Sequence, residues 1–288
     1  MPKLILMELR KAFGGGWFFA SLSVACAVVL SSAARSIWAF HSYGFDAFDP
    51  SQYHQLSTSG AICAWVGIGR IDTTFLPWLF FGLAPLLAVI PYAWSYRSEA
   101  TSGYVGQILC RASRVRYAIA KCLAVFGTAG AAVALPLALN YFVVCLFIPG
   151  YIPDAGEGLS VPIDEHCPFS SLFFSHPTAY FIVYTIFDFV LCGSWGVFVF
   201  ALSFFVRNRV VLLVGSYVFQ YFLHFVNVSG LSERVFGPIG AYQFNLISMA
   251  WPVPFGDVPN AGLSLALACA AFGFFAVSCA LWARRDVV

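Results

Sequence analysis

An all-α integral membrane fold is the class this sequence predicts, and three observations predict it. Charged residues make up 10% of the 288-residue chain, against about 25% in a soluble domain. Hydrophobic residues reach 60% and the mean hydropathy is +0.83, so charges are too few to cover a water-soluble surface of this size. The apolar residues also gather into six runs, at 17–34, 73–96, 117–148, 178–206, 210–226 and 261–282, each suited to a bilayer crossing of roughly 20 residues. Lipid offers the backbone no hydrogen-bond partner and no barrel-type alternation is present, so all six runs are expected as helices. Residues 1–288 are read as a single transmembrane domain.

Ahead of the first run, residues 2–13 predict an amphipathic interfacial helix. At about 100° per residue, Pro2, Ile5, Leu6, Leu9, Ala12 and Phe13 fill one arc, with Lys3, Glu8, Arg10 and Lys11 opposite. Such a helix lies along the membrane surface with its cations near anionic head groups. Gly14, Gly15 and Gly16 then let the chain turn into the first run. Ser32-Ala33-Ala34 resembles a leader cleavage site, but sixteen residues with their own helical pattern precede the run, which is read as a retained span.

The distribution of cations sets the orientation. With a cytoplasmic start, Lys3, Arg10, Lys11, Arg97, Arg111, Arg114, Arg116, Lys121, Arg207, Arg209, Arg284 and Arg285 fall inside, and Arg35, Arg70 and Arg234 outside. A split of twelve to three is the positive-inside bias, which predicts a multi-pass cell-membrane protein with both termini cytoplasmic. The first outer loop is rich in aromatic and turn-forming residues. The second, 149–177, has no Lys or Arg, and its Asp164-Glu165-His166-Cys167 run is read as solvated acid rather than a metal site. Arg207-Asn208-Arg209 makes a tight basic turn between the fourth and fifth runs. Residues 227–260 are apolar but broken by Gly and Pro, which suits an outer re-entrant region packed on protein.

The nine cysteines contain no CxxC pair, and no metal or zinc site is expected. Cys63 and Cys167 both fall in outer loops, where oxidation is permitted, so a disulfide between them is open. A phosphate-binding loop needs Gly-Lys-Ser/Thr, and none of Lys3, Lys11 and Lys121 follows a glycine. No HExxH or Gly-x-Ser-x-Gly pattern occurs, so the chain is not read as an enzyme. Asp188 is an intramembrane acid without an intramembrane cationic partner, either a proton or cation site or a helix-to-helix hydrogen-bond acceptor. Gly127, Gly130, Ala131, Ala132 and Ala134 mark close helix packing, within one subunit or across a dimer.

The most specific segment is the basic loop after the second run, residues 97–117. Glu99, Gly103, Ile108, Leu109, Arg114 and Lys121 stand in the order found in the same loop of permease subunits of the type-2 class of ATP-binding-cassette exporters, which this chain resembles. Ala112 and Tyr104 depart from the proline and threonine usual there. The amphipathic start, the six runs and Ser203–Arg209 resemble that family too. The resemblance implies a coupling helix that docks on a separate ATPase subunit, which binds ATP and Mg; no cofactor is expected in this chain. Glu99, Arg111, Arg114 and Arg116 would offer charges and Ile108 and Leu109 an apolar anchor. It also implies a second permease copy, a homodimer or related pair, as partner in exporting a substrate the sequence leaves unidentified; aromatic content suits an amphipathic or lipid-like cargo. No nucleic acid is expected. A secondary transporter using Asp188 and a non-transporting immunity or scaffold protein are the alternatives.

Overall fold

A computed structural model of the chain describes residues 2–42, 60–66, 75–153, 163, 167–231, 234, 245–252 and 261–284. Every regular element among the described residues is a helix: α1 (Pro2–Phe13), α2 (Gly16–Ser42), α3 (Ala61–Val66), α4 (Phe75–Val89), α5 (Ser95–Thr101), α6 (Tyr104–Leu109), α7 (Arg114–Phe147), α8 (Ser170–Ser175), α9 (Pro177–Leu202), α10 (Arg209–Val228), α11 (Leu246–Ala250) and α12 (Ala261–Arg284). Five of them, α2, α7, α9, α10 and α12, are long and apolar enough to cross a membrane.

The second expected run is shorter as a helix than its hydropathy suggests. α4 has 15 residues, about 22 Å at 1.5 Å per residue, and a turn over 90–94 separates it from α5. Pro91 accounts for the break. It has no N–H to give the Leu87 carbonyl and disfavours helical backbone at Ile90. The Leu87 carbonyl instead accepts the Ser21 hydroxyl of α2 at 2.8 Å, which sets the end of α4 beside the start of α2.

α7 and α9 form the centre. The packing is backbone-close because small residues meet it from both sides. A Cβ on Gly130 would stand 2.6 Å from the Phe189 carbonyl, one on Gly193 2.7 Å from the Phe126 ring, and one on Gly196 2.6 Å from Ala129. The Gly130 end of the small-residue stripe is therefore used inside the chain, against α9. α2 lays a seam of small and apolar residues, including Ser21, Ala25, Val29, Ser32 and Ser36, on α4 and α7. Its opposite face leaves Trp17, Phe19, Val24 and Trp38 exposed. Ser32 and Ala33 lie buried within this unbroken helix.

α10 is attached lightly. Leu212, Ser216 and Gln220 are its buried residues, and Val210, Val211, Val214 and Val218 face outward. Asn208 caps it by accepting from the Val210 N–H at 2.9 Å, and Gln220 accepts from the Leu246 N–H at 3.0 Å to hold α11. α11, which lies in the expected re-entrant region, is wholly buried. Residues 235–244 and 253–260 of that region, and Asp164, Glu165 and His166, lie outside the described residues.

Candidate functional site

The loop singled out in the sequence folds as α5 and α6 at the end of the bundle that carries α1. Glu99 on α5 does not face outward. It is 7% exposed and its carboxylate is paired with Lys11 of α1, with Lys121 of α7 at 2.9 Å and with the Tyr117 hydroxyl, which donates to it. Lys121 is wholly buried. Its ammonium also donates to the Ser95 hydroxyl at 2.8 Å and lies 3.6 Å from Glu8 of α1. The Tyr92 hydroxyl completes the cluster by donating to Glu8 at 2.7 Å. Two acids and two lysines from α1, α5 and α7 thus neutralise one another.

This arrangement moves Glu8 from its expected side. The periodicity of α1 sets Glu8 among its polar residues, yet Glu8 and Ala12 are the helix's buried positions, while Leu6 is 51% exposed. The reason lies across the contact: an unpaired Lys121 in the interior would be far costlier than turning one acid inward. Burial pushes the Glu99 carboxyl upward, but Lys121, Lys11 and Tyr117 outweigh it and hold it below the usual carboxylate range.

The other loop residues divide between holding the fold and facing out. Arg97 donates Nε to the Val206 carbonyl at 2.8 Å and Nη2 to the Phe204 carbonyl at 2.9 Å, satisfying acceptors beyond the end of α9. Arg114 donates to the Ala283 carbonyl at 3.0 Å, a cation at the C-terminal end of α12. Gly103 has φ +74°, a left-handed turn that favours glycine; it lets α6 start directly after α5. Ile108 and Leu109 are half-buried against the main core, so part of the expected apolar anchor supports α6 from beneath. Outward lie Gly106, Gln107, Cys110, Arg111 and Arg116.

Sequence reasoning missed Glu8, Tyr92, Ser95 and Tyr117 as members of this cluster. The available signal was an acid in a short helix and a lysine inside an apolar run, in a chain with only three lysines.

Asp188 on α9 is wholly buried, and neither carboxylate oxygen has a hydrogen-bond partner. The buried Tyr180 and Thr185 hydroxyls also lack one. Cys63 on α3 and Cys167 ahead of α8 are buried in the same hydrophobic cluster. No group of three metal-ligating side chains occurs among the described residues. A cavity of about 420 Å³ opens between α9, α10, α11 and α12, walled by Leu191, Trp195, Phe198, Phe219 and Phe274, with Gln220 and Ser194 as its polar points.

Comparison with protein families, curated proteins and solved structures returns no match. The fold defines the class at a coarse level: a multi-pass membrane protein, all-helical among the described residues.

Proposed function

We propose that the chain is the membrane subunit of an ATP-driven exporter of the type-2 ATP-binding-cassette class. It acts with a second permease copy and with a separate ATPase that holds ATP and Mg. α4, continued by the turn that follows it, serves as the remaining one of six crossings, α5 and α6 form the cytoplasmic loop, and α11 belongs to an outer re-entrant region. Both termini lie in the cytoplasm.

One observation carries this reading. The loop after α4 carries a short helix, α6, with an exposed outer face, and α5, from which α6 starts, is tied to α1 and α7 through the Glu8–Lys11–Glu99–Lys121 cluster. Buried charges cost several kcal/mol per ion to desolvate, and a surface loop that only set topology would not need them. A partner pushing on α6 would move α1 and α7 with it. Docking rests on Gly106, Gln107 and Arg111, with Ile108 and Leu109 supporting from below, Arg114 fixing the loop to α12, and Gly103 setting its direction. Glu99 acts by positioning. The test is co-purification with a candidate ATPase: Arg111→Glu with Gln107→Glu releases the ATPase while the permease stays folded. A complex that survives both substitutions overturns the docking assignment.

A second reading is supported by Asp188, whose unpartnered carboxyl suits a group that takes up a proton in an ion-coupled transporter. Transport that is indifferent to Asp188→Asn and to collapse of the proton gradient removes that reading.

A further inference from the structure

The face of the bundle that carries α1 holds a second feature, apart from α6. Arg97, Ser98, Thr101 and Ser102 from α5 and Arg207, Asn208 and Arg209 from the turn before α10 enclose a polar hollow of about 450 Å³. Three arginines line it. Burial, and after it the like charge of Arg207, disfavours the charge on Arg97, and a compensating anion would offset both. The acids described on this face are Glu8 and Glu99, and both are committed to Lys11 and Lys121. Arg97 spends two of its five N–H groups on the Phe204 and Val206 carbonyls, which fixes its plane and leaves three donors. Thr101 and Ser102 give their hydroxyl protons to the Arg97 and Glu99 carbonyls. The donors left for an anion are thus Arg97, Arg207, Arg209, Ser98 and the Asn208 amide nitrogen, whose oxygen already caps α10, at the start of α10, where the helix dipole also favours negative charge.

What surrounds the hollow indicates the kind of anion. Arg209 lies over the Trp94 ring at 5.8 Å, and Trp94 meets Trp17 edge-on at 6.0 Å. Paired tryptophans of this kind sit at the level of lipid head groups. Directly along α10 from the hollow, Val210, Val211, Val214 and Val218 form an apolar strip more than half exposed. A basic hollow continuous with an apolar strip matches a head-group phosphate with its acyl chains. We propose that Arg97, Arg207 and Arg209 form a binding site for the phosphate of an anionic phospholipid whose chains lie along α10. The proposal rests on the reading that α10 crosses a membrane, and not on the exporter assignment.

The test is native mass spectrometry of the whole protein released from mixed micelles of phosphatidylglycerol and phosphatidylcholine. The wild type retains phosphatidylglycerol preferentially. Arg207→Gln with Arg209→Gln, both exposed positions, reduces that preference about thirty-fold, as about 1 kcal/mol per arginine near a membrane surface implies. Arg116→Gln, an exposed arginine outside the hollow, leaves it unchanged. An equal fall with Arg116→Gln means diffuse charge and overturns the site, as does a double variant that keeps the preference. Protection against heating by inorganic phosphate, without preference between the two lipids, makes this a free-anion site and overturns the lipid assignment. Loss of a co-purifying ATPase from the double variant, with lipid preference intact, assigns the hollow to an acidic protein partner and also overturns it. Loss of α6 docking leaves the lipid preference unaffected, so the two accounts fail separately.

Discussion

Replacing Lys121 with Met removes one buried cation and leaves Glu8 and Glu99 facing each other across the space it filled. Lys121 stands 2.9 Å from Glu99 and 3.6 Å from Glu8. At an effective dielectric constant of about 20 those separations correspond to ~6 and ~5 kcal/mol of attraction. Desolvating three ions takes back several kcal/mol for each, so the intact cluster contributes little net stability. Breaking it is another matter, since removing one partner of a buried pair costs about 3–5 kcal/mol. The weakest attachment should give first. α1 is held to α7 through this cluster, and its outer face is exposed. Hydrogen–deuterium exchange of α1 amides in detergent reads the effect, with opening increased by about two to four orders of magnitude in Lys121→Met. Adding Glu8→Gln and Glu99→Gln to Lys121→Met restores most of the protection, because no charge is then stranded. Unchanged α1 exchange in Lys121→Met, or no recovery in the triple variant, refutes the cluster as a set of buried charges that must neutralise one another.

Three further outcomes follow from particular contacts. Glu99 titrates below its unfolded value, so its contribution is fully present above the ordinary carboxylate range and is lost as pH falls through the lower folded value; protease cleavage within α1 should therefore rise only in acid, and Glu99→Gln should abolish that acid dependence. Gly130→Val places its Cβ 2.6 Å from the Phe189 carbonyl and should destabilise the α7–α9 contact by about 1–3 kcal/mol, whereas Gly106→Ala, inside α6 with nothing within 4 Å, should stabilise slightly in thermal unfolding, by about 0.4–1 kcal/mol. Gly103→Ala strains a residue at φ +74° at a cost of about 1–2 kcal/mol, and should weaken ATPase co-purification without removing any docking side chain.

The helical class was legible because lipid permits a spanning chain so few backbone solutions. Even the interruption at Pro91 carried a local signal, since proline both lacks the donor and biases its predecessor; hydropathy alone smoothed over it. The loop's importance was legible from Glu99, Gly103 and Lys121, but the direction in which they point was not. Periodicity tells which residues of α1 share a face, and it grouped Glu8 with the cations. It does not tell that α7 presents a buried lysine to that face, because such a pairing depends on how two helices dock. The same limit applied to the small residues near Gly130, where only the packed neighbour, Phe189 of α9, decides between a contact within the chain and one between copies. Arg97 and Arg114 were legible as cations on one side, while their roles at the ends of α9 and α12 needed the carbonyls to be in place.

The central claim is that the outer face of α6 meets a separate ATPase. Cys110 is exposed at the end of α6, so a short thiol-reactive cross-linker can be used on the native residue in membranes that carry both proteins. The account predicts a permease–ATPase product through Cys110, lost in Cys110→Ser and diminished by Arg111→Glu. A purified permease–ATPase complex in which neither Cys110 nor a cysteine placed at Gln107 cross-links to the ATPase would contradict it.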